Sequence, residues 1–140
     1  MRSMLSINGK RWSVALFAAA AATVLSVSPS SAAGTTVIAY TSDQPGHVAA
    51  KAVFNGVSDP ELMYVCDVEA DGMRAWAQWT WDGSTVTLED ADGASTFCQD
   101  PNPHMTTRQI PEGRTVHVKV CRRDGANGTL RDCGYATGQS

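Results

Sequence analysis

After Val27 the sequence has no apolar run long enough to cross a bilayer, which takes roughly 20 residues as a helix. Beyond the N-terminal segment it has no sustained 3.6-residue periodicity, which argues against a helical bundle or a helix-covered parallel sheet. Its three histidines, His47, His104 and His117, stand apart, with no His-x-x-x-His or Cys-x-x-Cys spacing that would suggest a zinc site. There is no Gly-x-Ser-x-Gly turn to carry a serine nucleophile. Aromatic residues are only 7% of the chain, yet Trp76, Trp79 and Trp81 crowd into "WAQWTW". Such a concentration marks either the floor of a core or a surface that grips something.

The first segment is set apart from the rest. Arg2, Lys10 and Arg11 precede "SVALFAAAAATVLSV" (Ser13–Val27), an uncharged apolar run, and "SPSSAAG" follows it. This is the three-part pattern of a secretory signal peptide, and at about 15 residues the apolar run is short for a membrane span. Cleavage is expected after Ala33, with Ser31 and Ala33 at the small-residue positions, or after Ala32. Residues 1–33 are thus assigned to the signal peptide, 34–46 to a flexible segment or short strand, and 47–140 to one domain, with no room for a second. The product is expected to be extracellular, monomeric, and free of the membrane once the signal is removed.

Cleavage removes three of the eleven basic residues and no acid, leaving eight bases against fourteen acids, a net charge of −6. That sign argues against nucleic acid or an anionic membrane as the partner. The acids concentrate between Asp67 and Asp100 and the bases between Arg108 and Arg131, as expected for two halves that complement each other within one fold.

Four cysteines, Cys66, Cys98, Cys121 and Cys133, follow an export signal, so two disulfides are expected. Strand phase chooses among the three pairings. In "LMYVCDVE" the alternation puts Leu62, Tyr64, Cys66 and Val68 on one apolar face, which predicts an inward Cys66. In "TVHVKVC" Val116, Val118 and Val120 face the core, and Cys121 faces out with His117 and Lys119. The expected bridges are an interior staple, Cys66–Cys98, and a hairpin clasp, Cys121–Cys133. A two-residue turn at Asn127-Gly128 would set Cys121 opposite Gly134, one place off, so this hairpin needs either a wider loop or a bulge.

Strand and turn signals alternate along the domain. "HVAAKAVFN" has period two, with Val48, Ala50, Ala52 and Phe54 on one side. "LMYVCDVE", "MRAWAQWTW", "STVTLED", "TVHVKVC" and a last strand around "CGYAT" are separated by turns rich in Gly, Pro and Asp. Ala91–Ile110 reads as a loop that carries Cys98 and "QDPNPH". The predicted fold is all-β: a small antiparallel β-sandwich with two disulfides. It is immunoglobulin-like at most. Cys66 and Trp79 are suitably spaced, but Cys98 comes too soon after the tryptophan, and Thr96 stands where that fold wants a tyrosine.

On a strand from Met73 to Trp81, Ala75, Ala77, Trp79 and Trp81 share the core face, while Arg74, Trp76, Gln78 and Thr80 share the other. Burial of an indole contributes roughly 2–3 kcal/mol, so Trp79 and Trp81 need no ligand to explain them. Trp76 does stand out. With Arg74 and Gln78 it forms the candidate ligand-binding set, able to stack a sugar ring or anchor an extracellular protein.

Neither acid-rich turn completes a metal loop. "DVEADG" (Asp67, Glu69, Asp71) has Gln78 where a calcium loop needs its bidentate acid, and in "LEDADG" Leu88 displaces a ligand from beside Asp90 and Asp92. No cofactor and no catalytic residue are expected.

The stretches "VCDVEADGMRAWAQW" and "IPEGRTVHVKVCRRD…LRDCGYA" resemble the small secreted proteins common in actinobacteria. The resemblance runs from about Tyr64 to Ala136 and implies a secreted two-disulfide sandwich, with no activity attached. With a Trp-bearing strand, two expected disulfides and an expected secreted sandwich, the chain also resembles the Streptomyces α-amylase inhibitors, although their Trp-Arg-Tyr triplet is absent. The expected function is therefore a non-catalytic binding domain for an extracellular protein or glycan. The alternative is an inhibitor of an extracellular hydrolase, with the Ala91–Ile110 loop as its insert, stiffened by Pro101 and Pro103.

Overall fold

The computed structural model describes residues 33–41, 47–94, 98 and 104–140; the signal-peptide assignment falls almost wholly outside them. Eight strands follow in chain order: β1 (Thr36–Tyr40), β2 (Ala50–Asn55), β3 (Glu61–Asp67), β4 (Arg74–Trp81), β5 (Ser84–Asp90), β6 (Met105–Arg108), β7 (Thr115–Arg123) and β8 (Leu130–Gln139). They form two antiparallel four-stranded sheets, ordered β1-β2-β3-β6 and β5-β4-β7-β8. The core between them is Ala39, Ala52, Phe54, Met63, Val65, Ala75, Ala77, Trp79, Val86 and the three valines of β7. The all-β sandwich expected from the alternation is the observed fold.

Local chemistry explains several of these elements. Asp82 and Gly83 both have positive φ, which makes the two-residue turn whose twist suits the β4–β5 hairpin. β1 takes the strand alternative for the segment before His47, pairing with β2 from Thr36↔Asn55 to Tyr40↔Lys51. It also closes one side of the sandwich, with the Thr35 N–H donating to the Gln139 carbonyl at 2.8 Å. Gly134 permits that approach, because a Cβ there would stand 1.6 Å from the Tyr40 carbonyl oxygen.

The phase expected for β3 is reversed. Met63 and Val65 are the fully buried core residues, held by the pairs Phe54↔Met63 and Ala52↔Val65. Leu62, Tyr64 and Cys66 lie on the outer face with Val53 and Lys51. Both faces of this strand are apolar, so alternation alone had no means of choosing; the register with β2 decides it. Cys66 does bond Cys98, but from the outer face, where it ties the β5–β6 connection to the first sheet. Cys66 is fully buried, yet the bridge does not lie between the two sheets and does not join them as an immunoglobulin disulfide does. The second sheet nevertheless has the C′–C–F–G order of such sandwiches, with Trp79 on the C-like strand β4.

Three smaller corrections follow. β2 begins at Ala50, so Val48 precedes the strand and is exposed. The Ala91–Ile110 stretch is not all loop: "MTTR" forms β6 at the edge of the first sheet, pairing with β3 through Tyr64↔Met105. Cys121 faces away from the core as expected, yet it is fully buried, covered on the outer face where it bonds Cys133. The β7–β8 hairpin uses both remedies for its register. Six residues, 124–129, separate Arg123 from its partner Leu130, and a bulge between Val120↔Gly134 and Arg122↔Arg131 absorbs the extra residue, with Asp132 at φ 52°.

Candidate functional site

The outer face of β5-β4-β7-β8 is an ordered grid, because each register pair places side chains of one parity side by side. One row is Glu89, Trp76 and Cys121; the next is Thr87, Gln78, Lys119 and Tyr135; the third is Thr85, Thr80, His117 and Thr137. Apart from the aromatic rings and the disulfide, these rows carry hydroxyl, amide, imidazole and charged groups, with no aliphatic side chain. Lys119 is the hub. Its Nζ lies 5.9 Å from the Trp76 ring centroid and 6.0 Å from that of Tyr135, near the outer limit for cation–π attraction. Tyr135 is 71% exposed, so its ring is open to a ligand. Trp76 is half-buried beside the disulfide, and Thr87, His117 and Thr137 are exposed.

The three sequence-derived binding residues do share this face, but they are not equivalent. Arg74 is held by Glu89 at 3.5 Å, and Glu89 is also paired with Arg123, so the Arg74 charge is already engaged. Gln78 stands half-buried in the row between Trp76 and the threonines. Tyr135 and Lys119 were missed by sequence reasoning. "CGYAT" showed an alternating strand, but which strand lies beside β7, and at what register, is a tertiary fact.

Beyond His117 the face runs into a cleft of about 390 Å³ lined by Thr80, Trp81, Gly83, Arg114, Thr115 and His117. Arg114 Nε and Asp82 Oδ2 pair at 3.2 Å across it. Trp81 packs against the core, as its strand phase predicts, while its edge lines this cleft.

The opposite end of the sandwich is polar. Arg122 pairs with Asp71, with Glu69 at 3.4 Å and with Asp132 at 3.3 Å, and its side chain is only 12% exposed. Burial tends to raise the Asp71 carboxyl, but the Met73 N–H and the Arg122 guanidinium hold it below the usual aspartate value. His47 Nε2 lies 3.4 Å from Glu69 Oε1. Asp67 is buried, and burial pushes its carboxyl up to about 6; the nearby charges of Asp71 and Asp90 act in the same direction, against the Glu69 N–H and Arg122. Asp90, also buried, accepts from the Asp67 N–H at 2.9 Å and the Asp92 N–H at 3.2 Å. His104 joins Asp90 and Asp92 from across the β5–β6 connection.

Among the described residues no helix is long and apolar enough to cross a membrane, and two disulfides suit an oxidising compartment. Compared with protein-family models, with curated proteins and with solved structures, the chain gives no match. The roles of its residues therefore rest on geometry.

Proposed function

We propose that this chain is an exported, monomeric, non-catalytic binding module that holds a glycan across the outer face of β5-β4-β7-β8. Its resemblance to the small secreted actinobacterial proteins fits the export. The observation that carries the reading is the open Tyr135 ring beside Lys119 and Trp76, set in a grid of hydroxyl, amide and imidazole groups. A sugar offers one apolar face and a rim of hydroxyls, which matches a ring flanked by Gln78, Thr80, Thr87, His117 and Thr137. A protein hot spot instead needs a surround that excludes water from its anchor, and the three rows around Lys119 have no aliphatic side chain to form one.

The test is retention of the exported protein on insoluble polysaccharides and on cell-wall material. Tyr135→Ala and Trp76→Ala should each cut retention sharply, with the Tyr135→Ala melting temperature close to the parent's. If the parent is not retained, or if the double variant is retained equally well, the glycan reading fails. Capture of a protein partner that Tyr135→Ala abolishes would assign the same face to protein recognition instead.

A second reading, hydrolase inhibition, draws on the β5–β6 connection, which is tied by the Cys66–Cys98 bond and by β6. Most of "QDPNPH" lies outside the described residues. A connection tied at two places loses less entropy on docking. Near-stoichiometric loss of amylase or protease activity, abolished by cleaving this connection, would favour that reading.

A further inference from the structure

At the polar end of the sandwich, donors from the end of β5 and from the residue before β6 converge. Residues of β3 that face the core are Met63, Val65 and, continuing the alternation, Asp67. On β5 the partners of Ala75, Ala77 and Trp79 are Asp90, Leu88 and Val86, so Asp90 also points between the sheets. His104 immediately precedes β6, and its carbonyl accepts from the Val65 N–H at 3.2 Å, which places it opposite an inward residue. Asp92 lies two residues beyond β5. His104 Nε2 is 2.9 Å from Asp92 Oδ2 and 3.3 Å from Asp90 Oδ1, and the three donor atoms fall within 4.8 Å of one another.

A second observation is independent of those contacts. Asp67 is only 3% exposed, and its Oδ2 has no hydrogen-bond partner. Its backbone N–H bonds Asp90 Oδ2, so a second buried acid adjoins Asp90. Leaving a buried acceptor unmet costs about 1–3 kcal/mol, and more when it is charged. Asp67 Oδ1 accepts from the Glu69 N–H at 3.1 Å, and a cation held at the neighbouring Asp90 would offset the buried charge that remains.

We propose that Asp90, Asp92 and His104 hold one divalent transition-metal ion, with zinc the expected occupant. Donors each about 2.1 Å from one ion stand roughly 3.0 Å apart at right angles and about 3.4 Å apart at the tetrahedral angle, the range of the two His104 separations. An imidazole among carboxylates selects zinc over calcium or magnesium, which take oxygen donors. The ion would join the start of β6 in one sheet to the end of β5 in the other. It would thus clamp the open end of the sandwich beside the connection that carries Cys98. Sequence reading stopped short at Asp90 and Asp92, because the third donor is twelve residues beyond Asp92.

The exported protein is stripped with EDTA, dialysed, and titrated calorimetrically with zinc chloride and, separately, calcium chloride. One equivalent of zinc should bind, at least ~10-fold more tightly than calcium, and raise the melting temperature. His104→Ala and Asp92→Asn should each weaken zinc binding by at least ~10-fold, while His117→Ala, on the outer face, leaves it unchanged. Asp92 is 74% exposed, so its variant decides the matter even if His104→Ala folds poorly. Zinc uptake below one equivalent, tighter binding of calcium, or unchanged affinity in Asp92→Asn would each overturn the site. None of these measurements involves a glycan, so the metal proposal and the binding-face proposal stand or fall separately.

Discussion

Replacing Arg122 by methionine should cost this fold more than any other single change of surface charge. The guanidinium is 12% exposed and faces three carboxylates whose side chains are 21–30% exposed: Asp71, Asp132 and Glu69. Breaking a fully buried pair costs about 3–5 kcal/mol, and an exposed pair is worth about 0–1. Exposures of this size lie between the limits, nearer the buried one, and three anions lose their cation together. We therefore expect a loss of about 2–4 kcal/mol near neutral pH, a shift of roughly 1–2 M in the urea midpoint. Methionine retains much of the apolar stem, so the loss reports mainly on charge.

The pH dependence supplies the check. The Asp71 carboxyl is depressed in the folded state, so its contribution is present above the ordinary aspartate value and fades as pH falls through the folded one. The gap between parent and variant should accordingly be widest near neutrality and narrow as the pH is taken below the ordinary aspartate value. Urea unfolding followed by tryptophan fluorescence, with disulfides intact, measures it at both ends. A neutral-pH loss under ~1 kcal/mol, or a gap that survives acid unchanged, would refute the reasoning.

Other changes test the rest of the frame. Trp79→Ala empties a fully buried position and should destabilise by about 3–5 kcal/mol in denaturant titration. The Trp79 Nε1 has no hydrogen-bond partner, so Trp79→Phe should cost distinctly less than the alanine variant in the same assay. Gly134→Val would drive a Cβ into the Tyr40 carbonyl and should loosen β1, read as faster amide exchange along Thr36–Tyr40. Replacing Cys121 and Cys133 together with alanine should lower stability by about 2–3 kcal/mol while retaining the sheet spectrum, because the core valines of β7 do not depend on the bridge.

Where a strand has one polar and one apolar side, its pattern carried through to the fold. β4 buries Ala75, Ala77 and Trp79 and turns Arg74, Trp76 and Gln78 outward, as read; β7 buries its three valines, and β5 runs from Ser84 to Asp90 as its turns predict. β3 failed that test because Leu62, Tyr64 and Cys66 are as apolar as Met63 and Val65, and only pairing with β2 separates them. β6 went unread because four residues at a sheet edge carry too few alternations to register.

The order of residues alone settled that the chain makes short antiparallel strands, which cysteines bond, and which tryptophan turns outward, since these follow from period two, local turn chemistry and nearness along the chain. The fold decided which strand lies beside which. That brings Tyr135 alongside Lys119 and Trp76, and it sets His104 against Asp90 and Asp92. Such meetings depend on register across sheets and on the closing of the sandwich, and a one-residue slip would undo either without altering the pattern of any strand.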